Sequence, residues 1–82
     1  MTLQNIRSQI DAIDRELLHL LQQRVKLALQ ARTHKATAHD PAREKEVETT
    51  WLKESEHLGL DARKLKAVLD TIVDLTRSAQ QP

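Results

Sequence analysis

Residues 3–31, LQNIRSQIDAIDRELLHLLQQRVKLALQA, carry an apolar residue at nearly every third or fourth position. This spacing is typical of an amphipathic α-helix, and it predicts one long N-terminal helix. The apolar positions of the series are Leu3, Ile6, Ile10, Ile13, Leu17, Leu20, Leu27 and Ala31. Between Leu20 and Leu27, however, the series falls on Arg24. Because a buried cation is costly unless an anion meets it, the sequence predicts an anionic partner for Arg24.

The composition of the 82 residues favours one small all-α domain, spanning residues 1–82. One glycine, two prolines and a single aromatic residue, Trp51, argue against a β fold. The chain has no cysteine, so we expect no disulfide and a cytoplasmic location. We expect neither a membrane span nor a secretory signal, because no apolar run approaches membrane length. A net charge of +1, with both signs mixed, gives no reason to expect a nucleic-acid partner.

Local start and stop signals predict three helices. Thr2 is a plausible N-cap for the first helix, and the pair Asp40-Pro41 is a strong start signal for the second. Gly59 can end the second helix in a left-handed conformation, after which Asp61 caps the third. The predicted helices cover about residues 3–35, 41–58 and 62–79.

The first helix is too long for a monomer of this size. At ~1.5 Å per residue it extends for about 50 Å, whereas a compact domain of this length has a radius of gyration of about 12 Å. Its middle is also apolar on more than one face, at Leu17, Leu18, Leu20, Leu21, Val25, Leu27 and Leu29. Two short helices cannot cover that surface, so the sequence predicts an intertwined helical homodimer with paired long helices.

Polar residues interrupt the apolar patterns of the other helices as well. The apolar stripe of the third helix, continued by steps of three and four, reaches Thr76 and Gln80, which face the same way. Fraying of the stripe at the C-terminus is the competing interpretation. In the second helix Glu44 lies three residues before the apolar Val47, on the same face, and Arg43 precedes it directly. A glutamate in a first turn also suits the helix dipole, so this position alone decides nothing.

Arg24 and Lys35 are placed so that they can close on one small polyanion, whereas Arg7 is placed differently. Lys35 lies eleven residues after Arg24, about three helical turns, so both side chains point the same way. Arg7 lies about 25 Å before Arg24 along the helix and cannot share a small ligand with it in one chain. In an antiparallel dimer Arg7 can instead approach the partner's site; the alternative is an ordinary surface arginine. The four histidines show no metal-ligand spacing, and we expect neither metal nor cofactor.

Most of the chain resembles the all-helical chorismate mutases. The resemblance lies in residues 6–28 (IRSQIDAIDRELLHLLQQRVKLA), Lys35, residues 40–47 (DPAREKEV) and residues 59–80 (GLDARKLKAVLDTIVDLTRSAQ). It includes the unusual polar positions as well as the apolar ones. The resemblance implies three helices per chain in an intertwined dimer with two sites, each completed by an arginine of the partner. The implied reaction is the rearrangement of chorismate to prephenate, without a cofactor.

The resemblance further implies four catalytic residues. Arg24 would bind a substrate carboxylate, and Glu44 would hold the ring hydroxyl. Lys35 would contact a carboxylate and the ether oxygen of the breaking bond, and Gln80 would donate a hydrogen bond to that oxygen.

The resemblance assigns binding roles to the remaining polar residues. Arg7 would reach into the partner's site. Thr76 stands where some members of the family have serine, and it would lie near the ring carboxylate. Asp40 and Arg43 lie where the family has substrate-contacting or site-supporting residues.

Other functions remain open at this stage. A mutase acting on 4-amino-4-deoxychorismate, or an isochorismate pyruvate-lyase, would use the same scaffold. Glu44 fits a mutase, in which it would hold the ring hydroxyl, better than it fits the lyase. From a different class of protein, a non-enzymatic coiled-coil dimerisation module would explain the apolar seam. It would not explain polar residues at corresponding places on three helices.

Overall fold

The computed structural model describes residues 1–34 and 40–80, except for the side chain of Gln80. These ranges contain three α-helices and no strand. The helices are α1 (Leu3–Thr33), α2 (Pro41–His57) and α3 (Ala62–Gln80). The predicted all-α class with a long first helix is therefore confirmed. The prediction that the first helix reaches Lys35 falls on a residue outside the described ranges.

The helices begin where the capping residues predict. Thr2, Asp40 and Asp61 each accept, through a side-chain oxygen, a hydrogen bond of 3.1 Å from the backbone N–H three residues later. Each bond satisfies one of the N–H groups that a first helical turn leaves without an intrahelical partner. Pro41 opens α2, a position that needs no N–H donor.

A tight turn at Gly59 joins α2 to α3. Gly59 has a φ of +73°, in the left-handed region. Its N–H donates to the carbonyl of Glu56 at 3.2 Å, and the N–H of Leu60 donates to the carbonyl of Ser55 at 2.8 Å. This pattern is the Schellman motif that ends many helices. Because so short a connection makes neighbouring helices antiparallel, the start of α2 lies beside the end of α3.

Replacing Gly59 by alanine is expected to lower the free energy of unfolding by about 1–2 kcal/mol. A Cβ at this position would meet nothing within 4 Å, so the cost arises from the left-handed backbone and not from a clash. Urea unfolding followed by circular dichroism measures the change. Gly59→Asn is the control and should lose less stability, because asparagine tolerates this conformation. Equal stability of Gly59→Ala and the unchanged chain would contradict the prediction.

The third helix is the centre of the packing. In the described residues α3 packs against both α1 and α2, whereas α1 and α2 do not approach each other closely. The buried apolar side chains in the described part are Leu69 and Ile72 of α3, accompanied by the buried hydroxyls of Ser55 and Thr76. A cleft therefore remains between α1 and α2, with α3 as its floor.

The first helix is largely uncovered in the single chain. None of its residues is buried, and apolar side chains such as Ile10 and Leu17 remain half exposed, at 51% and 52%. The radius of gyration is 15.6 Å, against about 12 Å for a compact domain of this length. This uncovered stripe is the surface that the predicted dimer would bury. No helix in the described ranges combines the length and apolar character that a membrane span requires.

Two apolar positions behave differently from the sequence pattern. Leu58, expected as an apolar residue of the second helix, is 65% exposed, because α2 ends at His57 and Leu58 is only its C-cap. The apolar stripe of α3 also serves two surfaces. Val73 faces the cleft between α1 and α2, whereas Val68 lines an apolar groove on the other side of α3.

Candidate active site

The cleft between α1 and α2 has a volume of about 820 Å³. This volume lies within the range of small-molecule pockets, about 300–1000 Å³, and its walls are mixed polar and apolar. The apolar part of its lining comes from all three helices: Leu20, Leu27, Ala28, Ala31, Val47, Leu69 and Val73. The predicted site residues that line it are Arg24, Asp40, Arg43, Glu44 and Thr76. The structure thus brings together residues that the sequence holds up to 52 positions apart.

Arg24 lies at the boundary between this cleft and the apolar groove, and it lines both. The residue is half-buried. Within the described part of the chain its guanidinium forms no hydrogen bond or ion pair, unlike Arg43, Lys66 and Arg77. A partly desolvated guanidinium is stabilised when a carboxylate meets it with two parallel hydrogen bonds. In the described part of the chain the predicted anionic partner of Arg24 is not found, and the side chain borders the open cleft.

The first turn of α2 forms the opposite wall of the cleft. Asp40 is half-buried, and its Oδ1 accepts the N–H of Arg43, so this carboxylate holds the start of the helix in place. The Arg43 guanidinium lies 3.9 Å from the Glu46 carboxylate in an exposed pair, which contributes little energy. Glu44 lines the cleft with its side chain largely exposed. This wall is also the positive, N-terminal end of the α2 dipole, which favours an anion there.

Thr76 is the buried polar residue on the floor of the cleft. It is 4% exposed, and its Oγ1 donates to the carbonyl of Ile72 at 3.1 Å. This bond within the helix satisfies the hydroxyl in the free protein. Rotation of the hydroxyl about its Cβ–Oγ1 bond can redirect the proton away from the helix. Thr76 therefore places a buried hydroxyl beside the cleft.

Three predicted site residues are not among the lining residues in the described part of the chain. Lys35 lies outside the described residues. Gln80 ends α3 one turn after Thr76, but its side chain lies outside the described part. Arg7 is exposed near the start of α1 and does not line the cleft of its own chain.

The charges on the described walls cancel. Five lining residues are cationic: Arg24, Arg32, Arg43, Lys66 and Arg77. Five are anionic: Asp40, Glu44, Glu48, Asp70 and Asp74. The described part of the cleft therefore has no net formal charge.

Six of these charged residues were not identified from the sequence. They are Arg32, Glu48, Lys66, Asp70, Asp74 and Arg77. A helical signal was present, because Asp70, Asp74 and Arg77 follow Lys66 at steps of three and four. The sequence does not show that this polar row faces a cleft and not solvent.

Lys66 is compensated by neighbouring carboxylates. Its Nζ lies 2.7 Å from Asp70 Oδ1. The hydrogen bond to Asp70 raises the pKa of Lys66 above its ordinary value, and the charges of Asp70 and Glu48 act in the same direction. The positive charge of Lys66 is therefore neutralised by carboxylates of α2 and α3. Arg43 and Arg77 form longer ion pairs than Lys66 does.

The apolar groove beside the cleft has a volume of about 690 Å³. Apart from Arg24 and Thr71, its lining is apolar: Leu17, Leu20, Leu21, Trp51, Leu65, Ala67, Val68, Ile72 and Leu75. It is continuous with the uncovered stripe of α1 through Leu17 and Leu20. Exposed apolar surfaces of this kind are typical of protein contacts, ligand grooves and aggregation-prone patches.

The described part of the chain is all-helical, with one long helix and a cleft between helices whose lining includes four arginines. The family model for chorismate mutase type II matches residues 6–81. The chain belongs to this family and is accordingly an isomerase of the chorismate mutase class. The resemblance seen in the sequence is thereby confirmed. No curated protein and no solved structure matches the chain significantly.

Proposed function

We propose that this chain converts chorismate to prephenate in the cleft between α1 and α2. The family match supports the activity, and the half-buried, unpaired Arg24 in the wall of the cleft is the observation that supports the site. The reaction has one substrate. The ether C–O bond breaks as a C–C bond forms in a chair-like transition state, with no proton transfer and no change of oxidation state.

The residues around the cleft are suited to holding an extended dianion in its reactive conformation. Arg24 binds one carboxylate, and Thr76 lies near the ring carboxylate. Glu44 accepts a hydrogen bond from the ring hydroxyl, while Asp40 and Arg43 hold the first turn of α2 beside the substrate. The apolar walls contact the ring and exclude water, which strengthens each of these interactions.

Acceleration requires donors at the ether oxygen, where negative charge develops as the C–O bond lengthens. We assign this role to Lys35 and Gln80. A cation and an amide donor at that point stabilise the transition state more than the ground state. This assignment accounts for a reaction that needs positioned charges and no nucleophile.

We also propose that the active form is a homodimer in which Arg7 of each chain completes the site of the other. The charge balance supports this, because the described walls are neutral and a dianion requires more cations. Lys35 supplies one positive charge and the partner's Arg7 another. The exposed stripe of α1 and the adjoining apolar groove supply the surface for association. Antiparallel pairing of two α1 helices brings the first half of one, with Arg7, beside the second half of the other, with Arg24.

A non-enzymatic coiled-coil module is the strongest alternative from another class. It accounts for the stripe of α1. It leaves unexplained a cleft of about 820 Å³ whose floor carries a buried hydroxyl. The amino analogue of chorismate and isochorismate are alternative substrates on the same scaffold. The cytoplasmic location expected from the cysteine-free composition stays a prediction.

Direct assay of the purified chain tests the proposal. We expect chorismate to disappear, followed by its ultraviolet absorbance, with prephenate as the product. Isochorismate and 4-amino-4-deoxychorismate are assayed in parallel, and each should be turned over far more slowly. Faster turnover of either analogue would reassign the substrate, and turnover of none would support the dimerisation module.

A further inference from the structure

A row of charged residues on α3 runs along the edge of the cleft. It begins at Lys66, continues through Asp70 and Asp74, and ends at Arg77, all of which line the cleft. The cations at its two ends are held very differently. Lys66 forms a 2.7 Å pair with Asp70, whereas the Nη1 of Arg77 lies 3.7 Å from Asp74 Oδ1.

The Asp74–Arg77 pair is loose as well as long. The side chains are 55% exposed for Arg77 and 74% exposed for Asp74. An exposed pair of this length contributes little energy, because water screens it and two flexible side chains must be ordered to form it. A guanidinium held in this way can exchange its carboxylate partner at low cost.

The position of Arg77 places it at the end of the cleft where the proposed substrate contacts gather. It follows Thr76 directly and lies one turn after Val73, which lines the same floor. Because α2 and α3 are antiparallel, the last turns of α3 lie beside the first turn of α2, with Asp40 and Glu44. Arg77 therefore stands at the exposed rim beside the buried hydroxyl of Thr76.

We propose that Arg77 is a further substrate-binding residue. Its guanidinium separates from Asp74 and pairs with a carboxylate of the incoming dianion. The inference rests on the proposed function of the cleft and extends its set of anion-binding residues. Arg77 acts in capture of the substrate and not in the bond-breaking step, because it lies at the exposed rim. In the absence of substrate the guanidinium lies near Asp74 in the loose pair described above.

Steady-state kinetics of Arg77→Gln test the proposal. We expect the KM for chorismate to rise about fivefold to tenfold while kcat changes less than twofold, since a hydrogen-bonded charge is lost in ground and transition states alike. Arg77→Lys keeps the charge but loses the paired hydrogen bonds. Its KM should therefore lie between those of the unchanged enzyme and Arg77→Gln. Added salt should raise the KM of the unchanged enzyme more than that of Arg77→Gln.

Arg63→Gln is the matched control, because Arg63 is an exposed arginine of α3 that does not line the cleft. It removes the same charge from the same helix and should leave KM unchanged. Equal KM values for Arg77→Gln and Arg63→Gln, in an enzyme that turns over chorismate, would overturn the inference alone. Absence of turnover in the unchanged enzyme would overturn the proposed function and this inference with it.

A second variant tests the exchange of partners. Asp74→Asn should lower KM about twofold to threefold, because Arg77 is then released to the substrate. The gain should largely disappear in the double variant with Arg77→Gln, since the two residues act as one unit. A gain that persists undiminished in the double variant would show that Asp74 acts only through its charge, and would contradict the exchange.

Discussion

Arg24→Ala is expected to lower kcat/KM for chorismate by about 100- to 1000-fold, the usual loss when a preorganised charged donor is removed from a transition state. Arg24 is half-buried at the edge of the cleft and has no ion pair in the described residues. The substrate carboxylate would then be its principal partner, so truncation removes a contact and leaves no carboxylate of the protein unpaired. The kcat/KM of Arg24→Lys should lie between those of the unchanged enzyme and Arg24→Ala, because lysine keeps the charge but loses the two parallel hydrogen bonds.

Arg24→Leu tests the same assignment through its effect on the stability of the fold. Leucine restores the apolar series of α1, and it removes a partly desolvated cation from the edge of the apolar groove. We expect a variant with higher resistance to urea and almost no activity, a trade of stability against function that is common at active sites.

Arg15→Ala is the matched control for these variants. Arg15 is an exposed arginine of α1, nine residues before Arg24 and so on the opposite face of the helix. It should keep normal turnover and normal helicity by circular dichroism. Near-normal turnover of Arg24→Ala would show that the cleft is not the active site.

Mixing two inactive variants, Arg7→Ala and Lys35→Ala, is expected to restore about one quarter of the normal activity. In a heterodimer one site would have the intact Lys35 of its own chain and the intact Arg7 of the other. The second site would lack both. Half of the dimers in a random equimolar mixture are heterodimers, and half of their sites are complete, so about one quarter of all sites are restored.

The control mixture is Arg24→Ala with Lys35→Ala. The proposal places both residues in the part of the site built from one chain, so every site of that heterodimer carries a defect and no activity should return. Different affinity tags on the two chains, followed by native mass spectrometry, verify that heterodimers form. Verified heterodimers of Arg7→Ala and Lys35→Ala without activity would refute a site shared between chains.

The helix starts could be predicted because their chemistry is local. Thr2, Asp40 and Asp61 each bond an N–H three residues away, and Gly59 has the positive φ that few other residues adopt without cost. Such interactions depend on a few neighbouring residues, and those neighbours are written in the sequence. The end of α2 was less predictable, since Leu58 continued the apolar pattern although it caps the helix.

Part of the candidate site was also predictable. Arg24 could be found because it breaks a periodic pattern, and Thr76 because it replaces an apolar residue in another. Arg77 and Lys66 could not be found in this way. They belong to a polar row that looks, in the sequence, like any solvated face of a helix.

The sequence by itself determined the helical class, a long first helix and the capped helix starts, because each depends on contacts within a few residues along the chain. Only the tertiary structure decided that α3 packs between α1 and α2 and leaves a cleft above it. That packing sets which face of α3 is covered, so it turns Thr76 into a buried floor and places Arg77 at the rim. The physical reason is that the rotation of a helix about its own axis depends on what packs against it. Helical period alone leaves that rotation open.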